Sequence, residues 1–328
     1  MTKPPTVHDV ARLSGVSTAT VSRYFNGKHD ILSPETLERV KKAVQDLNYT
    51  PSEVGRSLRL SRSNIVVMLV PDATNFFTAD VAVSVESALR DMGRTLVLAN
   101  TSENGANQDK LLTDAIGMRA EAIILQGAID TPQLRAVVKQ NTHCIFVNRR
   151  PAEGIVAPYV GVDNFAAGRA VGEYFRSKGY DNIIAIHGPK HYPGSTSRLD
   201  GFLQGCGQAE SVTQIECSYR TEDGYQVAQK LFSGTGKSYS IFCGNDMISY
   251  GVYRAAIENG LTVPGNVRIF GFDGCHMNKW LAPWLSTLRV RTDLYGPAIA
   301  RLIDIPPKAG ASAPNEIFPF EMILRESA

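Results

Sequence analysis

Residues Thr6 to Asn26, TVHDVARLSGVSTATVSRYFN, put hydroxyl and guanidinium side chains on the outward face of two short helices that the spacing predicts around a tight turn. Val7, Val10, Ala11 and Leu13 recur at helical intervals, Gly15 stands where a left-handed residue is least strained, and Ser17 is placed to cap the second helix. Val16 and Val21 turn back to the same small core. Thr18, Ala19, Ser22 and Arg23 then point away from it, the way a helix-turn-helix presents side chains to the major groove of a duplex. Arg23 has the donors for a guanine edge or a phosphate.

The elements that must position these side chains follow at once. Ser33 and Pro34 carry cap and first-turn chemistry for a third helix, and Leu37, Val40, Val44 and Leu47 give it one apolar stripe. Residues 1–62 hold ten Lys and Arg against six Asp and Glu, a net of +4, whereas the whole chain is +2, so the remainder carries −2. A basic head on a nearly neutral body suits phosphate binding.

The chain has 328 residues, 43% of them hydrophobic and 20% charged, enough for a head and a larger globular body. Five cysteines, Cys144, Cys206, Cys217, Cys243 and Cys275, are scattered without metal-type spacing and are expected as buried thiols in a reducing compartment. MTKPPTVHDV has no apolar signal core, and no run reaches the roughly 20 apolar residues that span a bilayer. The expected location is the cytoplasm, with no membrane partner.

From Asn64 the pattern becomes short apolar runs alternating with amphipathic helices: IVVMLV, TLVLAN, AIILQ, CIFVN, IIAIHG, SIFCG and VRIFGFD mark the strands. Continuous apolar strands of this kind are buried on both faces, which predicts parallel sheets covered by helices, an α/β body. There are too many units for one sheet. The stretch Ala157 to Asp163 reads as a polar break between two lobes, with ligands bound in the cleft beyond the carboxyl ends of the strands.

The order of parts resembles the lactose/galactose repressor family of bacterial transcription regulators over essentially the entire chain. The segments that carry the resemblance are DVARLSGVSTATVSRYFNG, LSPETLERVKKAVQDLNYTPSEVGRSL, RLDGF, GNDMISYGVYRAAIENGLTVPGNVRIFGFD and the closing ILRES. It implies an all-α helix-turn-helix head (1–50), a hinge helix and linker (51–62), and a two-lobed periplasmic-binding-protein-like body (63–328). One lobe is drawn at 63–160 and 291–316, the other at 161–290 and 317–328. It also implies a homodimer on a near-palindromic DNA operator and regulation, by default repression, through a small effector. No heptad tail follows ILRESA, which points to a dimer and not a tetramer.

Carried over residue by residue, Thr18 and Ala19 match the base-reading pair, with Arg23 a turn further on. Ala19 offers only apolar contact, for which a thymine methyl is the natural partner. Ser17, Thr20, Ser22 and Asn26 are expected on phosphates. PSEVGRSLRL matches the hinge helix, in which Leu58 is the minor-groove wedge and Arg59 lies beside it. Gly55, where relatives usually carry Ala, costs that short helix about 1 kcal/mol, so it is expected to fold only when dimerised on DNA.

For the cleft the resemblance selects Asn75, Phe76, Gln126, Asn148, Arg149, Arg198, Tyr219, Asn245 and Asp273. Arg198 brings a fork of donors, Asp273 accepts from paired hydroxyls, and Tyr219 or Phe76 can stack on a sugar face. Alternatively, Arg198 and Asp273 pair with each other across the lobes. Arg149 with Arg150 points to an acidic sugar. Two departures stand out: Gly274 replaces a second acidic residue, and NFF lacks a proline after Asn75.

Other chemistries fail on spacing. SGTGKS at 233–238 lacks the first glycine of a phosphate loop, which would fall at Leu231. His187 and His191 are separated by Gly188 and Pro189, which leaves them as loop or cleft residues and not a helical metal pair. No nucleophile elbow is present. The expectation is a non-enzyme without metal or cofactor, the rivals being a sugar carrier or a sugar-active enzyme with an accessory DNA head.

Overall fold

The computed structural model describes residues 5–25, 27–50, 63–207, 209–233, 238–305 and 313–328. The chain divides into two compact units, Met1–Ser63 and Asn64–Ala328.

In the first unit, α1 (Val7–Ser14) begins with a capping box: the Asp9 amide donates to the Thr6 hydroxyl while the Asp9 carboxylate accepts from the Thr6 amide at 2.9 Å. Gly15, at φ +65°, ends the helix in the left-handed region. The Ser17 hydroxyl accepts from the Thr20 amide at 3.2 Å and so starts α2 (Thr18–Phe25), and Ser33 does the same for α3 (Pro34–Asp46) through the Thr36 amide. Val10, Ala11, Val21, Val40 and Ala43 form the buried core, edged by Val16, Val44 and Leu47. Leu13 departs from the expected stripe and is 54% exposed. Ser14, four residues after Val10, takes the inward place instead, its hydroxyl bonded to the Val10 carbonyl at 2.6 Å.

The second unit holds two six-stranded sheets. The first is built from β1 (Ile65–Val70), β2 (Thr95–Asn100), β3 (Ala122–Gln126), β4 (Cys144–Val147), β5 (Tyr159–Val162) and β11 (Asn315–Phe318), in the order β2-β1-β3-β4-β5-β11 and parallel throughout. The second runs β7 (Thr213–Glu216), β6 (Ile183–His187), β8 (Tyr239–Cys243), β9 (Val267–Asp273), β10 (Ser286–Val290), β12 (Phe320–Ile323), with only β12 antiparallel. The helices between them are α4 (Phe76–Asp91), α5 (Gly105–Gly117), α6 (Pro132–Lys139), α7 (Asn164–Ser177), α8 (Pro193–Cys206), α9 (Thr221–Phe232), α10 (Asp246–Glu258), α11 (Asn278–Leu281) and α12 (Tyr295–Ile303).

Central strands are buried end to end, whereas the edge strands β2 and β7 are partly open, which is why TLVLAN leaves Leu98 44% exposed despite its apolar run. The expected break at Ala157 to Asp163 is in fact β5, all four residues buried, and the chain changes sheets immediately after it. Tyr159 and Gly161 had disguised a core strand. β5 runs to Val162 and β11 to Phe318, so the first layer reaches past the expected limits at 160 and 316. Four cysteines are buried and Cys217 half-buried, all as free thiols.

Two helix pairs in the second layer touch backbone to backbone. A Cβ on Gly168 of α7 would lie 2.0 Å from the Arg198 carbonyl oxygen of α8, and one on Gly201 would lie 2.1 Å from that of Phe165. Gly172 and Gly205 meet the partner helix in the same way, so GRAVG and GFLQG pack as facing small-residue stripes. Gly168→Ala should therefore lower stability by about 1–3 kcal/mol through overpacking, as read by denaturant titration of the full chain. Gly117→Ala, with open space at its Cβ, should be neutral or slightly stabilising in the same assay.

Candidate functional site

On the head, α2 presents Ser17, Ala19 and Arg23 exposed and Thr18, Thr20 and Ser22 half-buried. Ser17 and Thr20 bond to each other, hydroxyl to hydroxyl at 3.0 Å, so part of their polar capacity is spent on shaping the turn. Thr18, Ala19 and Arg23 stand on the outer side of a helix whose only buried residue is Val21. Behind them Tyr24 packs on Phe25 and stacks on His29, whose ring nitrogen lies 3.0 Å from the Tyr24 carbonyl. Asn26, Leu58 and Arg59 lie outside the described residues, as does most of SGTGKS.

On the body, a cleft opens where the strand ends of the two sheets face one another. Almost every lining side chain follows a strand: Asn75 after β1, Gln126 closing β3, Asn148 and Arg149 after β4, Tyr219 after β7, Asn245 after β8, Asp273 closing β9. Eight of the nine residues selected from sequence thus share one cavity. Phe76 does not. Asn75 caps α4 by accepting from the Phe77 and Thr78 amides, and the next two side chains diverge by one helical step. Phe77 lines the cleft, while Phe76 faces Tyr250 with ring centroids 6.2 Å apart.

Arg198 is anchored, not paired with Asp273. Its Nε and Nη2 donate to the Asn164 side-chain oxygen at 3.1 and 2.7 Å, Nη1 donates to the Gly244 carbonyl, and the guanidinium lies 3.4 Å over the Phe272 ring. Both residues also belong to the second layer, so a pair across the lobes does not form. Arg149 donates to the Ala128 carbonyl at 3.1 Å and lies 3.6 Å over the ring of Tyr192 from the opposite layer. Arg150 sits over Tyr159 and is not among the lining residues. His187 is buried at the end of β6, and His191 packs on the Tyr192 ring; neither lines the cleft.

Two acceptors in the cleft remain unused. Gln126, 6% exposed, gives its amide nitrogen to the Thr78 hydroxyl at 3.2 Å, and its Oε1 is buried without a partner. Asp273, 7% exposed at φ +113°, has no hydrogen-bond donor to its carboxyl among the described residues. Burial pushes that carboxyl well above the usual range; Arg198 opposes the shift, and Asp246 and Asp80 add to it. Asp246 beneath is also raised by burial, but it is satisfied by Thr287, Asn278 and the Cys275 amide. Gly274, at φ +65°, explains the missing second acid: a Cβ there would lie 2.5 Å from Arg289 Cα of β10.

Asn148, at φ +61°, lines the cleft and accepts at Oδ1 from the Tyr295 hydroxyl at 2.6 Å. Tyr295 is itself buried between Phe77 and Phe318. Asn164, Tyr192, Ser195, Thr78 and Phe272 were missed in the sequence. Each lies at a strand end or in the first turn of the next helix, a positional signal that was available.

Residues 6–52 match the model of bacterial regulatory proteins, lacI family, and residues 66–279 match that of the periplasmic binding protein domain. The chain belongs to the LacI family of bacterial regulators. It is 27% identical over 304 residues to the HTH-type transcriptional repressor PurR of Klebsiella pneumoniae (strain 342), covering 91% of this chain and 89% of the relative. It is also 27% identical over 297 residues to the ribose operon repressor of Escherichia coli (strain K12), covering 89% of each. The fold matches the Lac repressor dimer bound to operator and the anti-inducer ONPF with a TM-score of 0.85, over 99% of both chains at 21% identity. This LacI-family protein is accordingly a DNA-binding transcriptional regulator and not an enzyme. No described helix is long and apolar enough to cross a membrane.

The buried carboxyl of Asp273 has a measurable consequence for stability. A carboxyl with a higher pKa folded than unfolded keeps a proton that the unfolded chain has released, so stability falls as pH rises from about 4 towards the raised native value. Asp273→Asn should raise the melting temperature at neutral pH and flatten this fall in pH-resolved melts. Asp246, shifted in the same direction, should leave a residual slope.

Proposed function

We propose that this regulator is a repressor that binds a near-palindromic operator as a homodimer, and that a small polyhydroxylated effector, a sugar or sugar acid, in the body cleft sets its operator affinity. The single observation that carries the effector is the unspent buried acceptor Gln126 Oε1 of one sheet, accompanied in the cleft by the Asp273 carboxyl of the other, which has no donor among the described residues. Buried acceptors without donors are costly, and hydroxyl groups of a ligand satisfy them. Aromatic faces from Phe77, Tyr192 and Tyr219 complete a lining suited to a sugar ring. On the head, Thr18, Ala19 and Arg23 supply base-edge chemistry, and Ser17, Thr20 and Ser22 position the helix on phosphates.

Contacts that bridge the two layers around the cleft include Arg149 on Tyr192, Phe76 against Tyr250, and His276 bonded to Asp80. They are the elements through which a ligand biases one arrangement of the layers over another. An effector preferring one arrangement by about 3 kcal/mol changes operator affinity on the order of 100-fold, and operator must change effector affinity equally. The boundaries 1–50, 51–62 and 63–328 assign DNA reading, hinge and sensing to separate segments, with Leu58 and Arg59 in the hinge.

Separate segments give separable losses. Leu58→Ala should weaken operator binding in gel-shift titrations and leave effector affinity unchanged, whereas Arg198→Ala should weaken effector binding in calorimetry and leave effector-free operator binding intact. Equal losses of both activities in both variants, with normal melting curves, would sink the division of labour.

A further inference from the structure

We infer that the effector is a monocarboxylate, a polyhydroxylated acid whose carboxylate is received by Arg149. This rests on the proposed sugar-like effector and adds the charge and the contact point.

Arg149 is the half-buried guanidinium of the cleft that has donors to spare. Of its five N–H groups one is given to the Ala128 carbonyl, and the plane of the group rests on Tyr192. Arg198 is already held by Asn164 and Gly244, and Arg220 is exposed at the rim. No carboxylate among the described residues is ion-paired with Arg149. Elsewhere in the body Arg90, Arg94, Arg135, Arg254 and Arg301 each have one.

Arg94 gives the internal contrast. It too is largely shielded, but Glu121 and Asp304 hold it at 2.8 Å, and hydrogen bonding to Glu121 raises its pKa. Arg149 shifts the other way: burial pulls the guanidinium below its ordinary value, and Tyr192, Glu103 and Tyr219 only partly oppose this. A desolvated cation without a counter-ion is unfavourable until an anion arrives.

The cleft's own acids do not fill that role. Asp72 is turned to the Thr74 amide and hydroxyl at 2.8 and 2.7 Å. Glu103 stands next to Tyr192 at the rim without an ion pair to Arg149. Asp273 lies in the second layer, with burial favouring its neutral form.

One free planar fork matches one carboxylate, which it can bind through two parallel N–H···O bonds. A phosphate monoester carries close to two negative charges, and the cleft's other uncommitted guanidinium, Arg220, stands exposed to solvent. The other end of the cleft offers the Gln126 Oε1 acceptor and the Asp273 carboxyl, both suited to the hydroxyls of a polyhydroxylated acid.

The test is calorimetric titration of the full chain with matched probes: D-gluconate, D-galactonate, D-glucuronate and D-galacturonate, against D-glucose, D-galactose and glucose 6-phosphate. At least one acid should bind, and about 10- to 100-fold more tightly than its neutral or phosphorylated counterpart. Arg149→Gln should erase that preference while melting normally, and Arg149→Lys, which keeps the charge but not the fork, should restore part of it. Tighter binding of an aldose or the sugar phosphate, or an acid preference that survives Arg149→Gln, would overturn the inference and leave the sugar-sensor reading intact. Failure of every probe to bind would overturn both.

Discussion

The cleft depends on how closely two helices approach each other. Gly168 and Gly172 on α7 and Gly201 and Gly205 on α8 let the two backbones touch, and that contact sets Arg198, near the start of α8, against Asn164, the first residue of α7. With side chains at those four positions the helices would stand apart and the guanidinium would lose its anchor. Gly224 and Gly251 do the same for α9 and α10, whose cap Asn245 also lines the cleft. The polar geometry of the site is therefore a product of steric packing outside it.

A second layer of support lies beneath the ligand face. Asp246, buried under the strand ends, gathers Thr287, Asn278 and the Cys275 amide, and so ties α10 to β10 and to the segment after β9. In the other lobe Tyr295 holds Asn148 from behind. Both are buried polar groups with satisfied bonds, which fix orientation; Gln126 Oε1 and Asp273 are buried polar groups left open, which invite a ligand. The difference between a support and a sensor here is the hydrogen-bond account of each side chain.

The head obeys different physics. It is small, its core is a handful of residues, and its stability leans on local devices: the Thr6–Asp9 box, Gly15 in the left-handed region, and the Ser17 and Ser33 caps. Those devices are written in residue types at fixed spacing. Its reading surface follows from the same register, because once Val21 faces the core, Thr18, Ala19 and Arg23 face out.

What the sequence determined by itself was whatever depends on local spacing, namely the helix-turn-helix, the caps and the alternation of strands and helices, while the family resemblance selected nine cleft residues of which eight share one cavity. Tertiary structure decided what depends on neighbours distant in the chain. It turned Phe77 and not Phe76 inward, buried Ser14 in place of Leu13, made β5 out of an apparent break, and gave Arg198 to Asn164 instead of Asp273. It also left Arg149 without a counter-charge. The physical reason is that periodicity encodes which face a residue is on, whereas burial, pairing and desolvation are set by the partner that arrives from elsewhere in the fold.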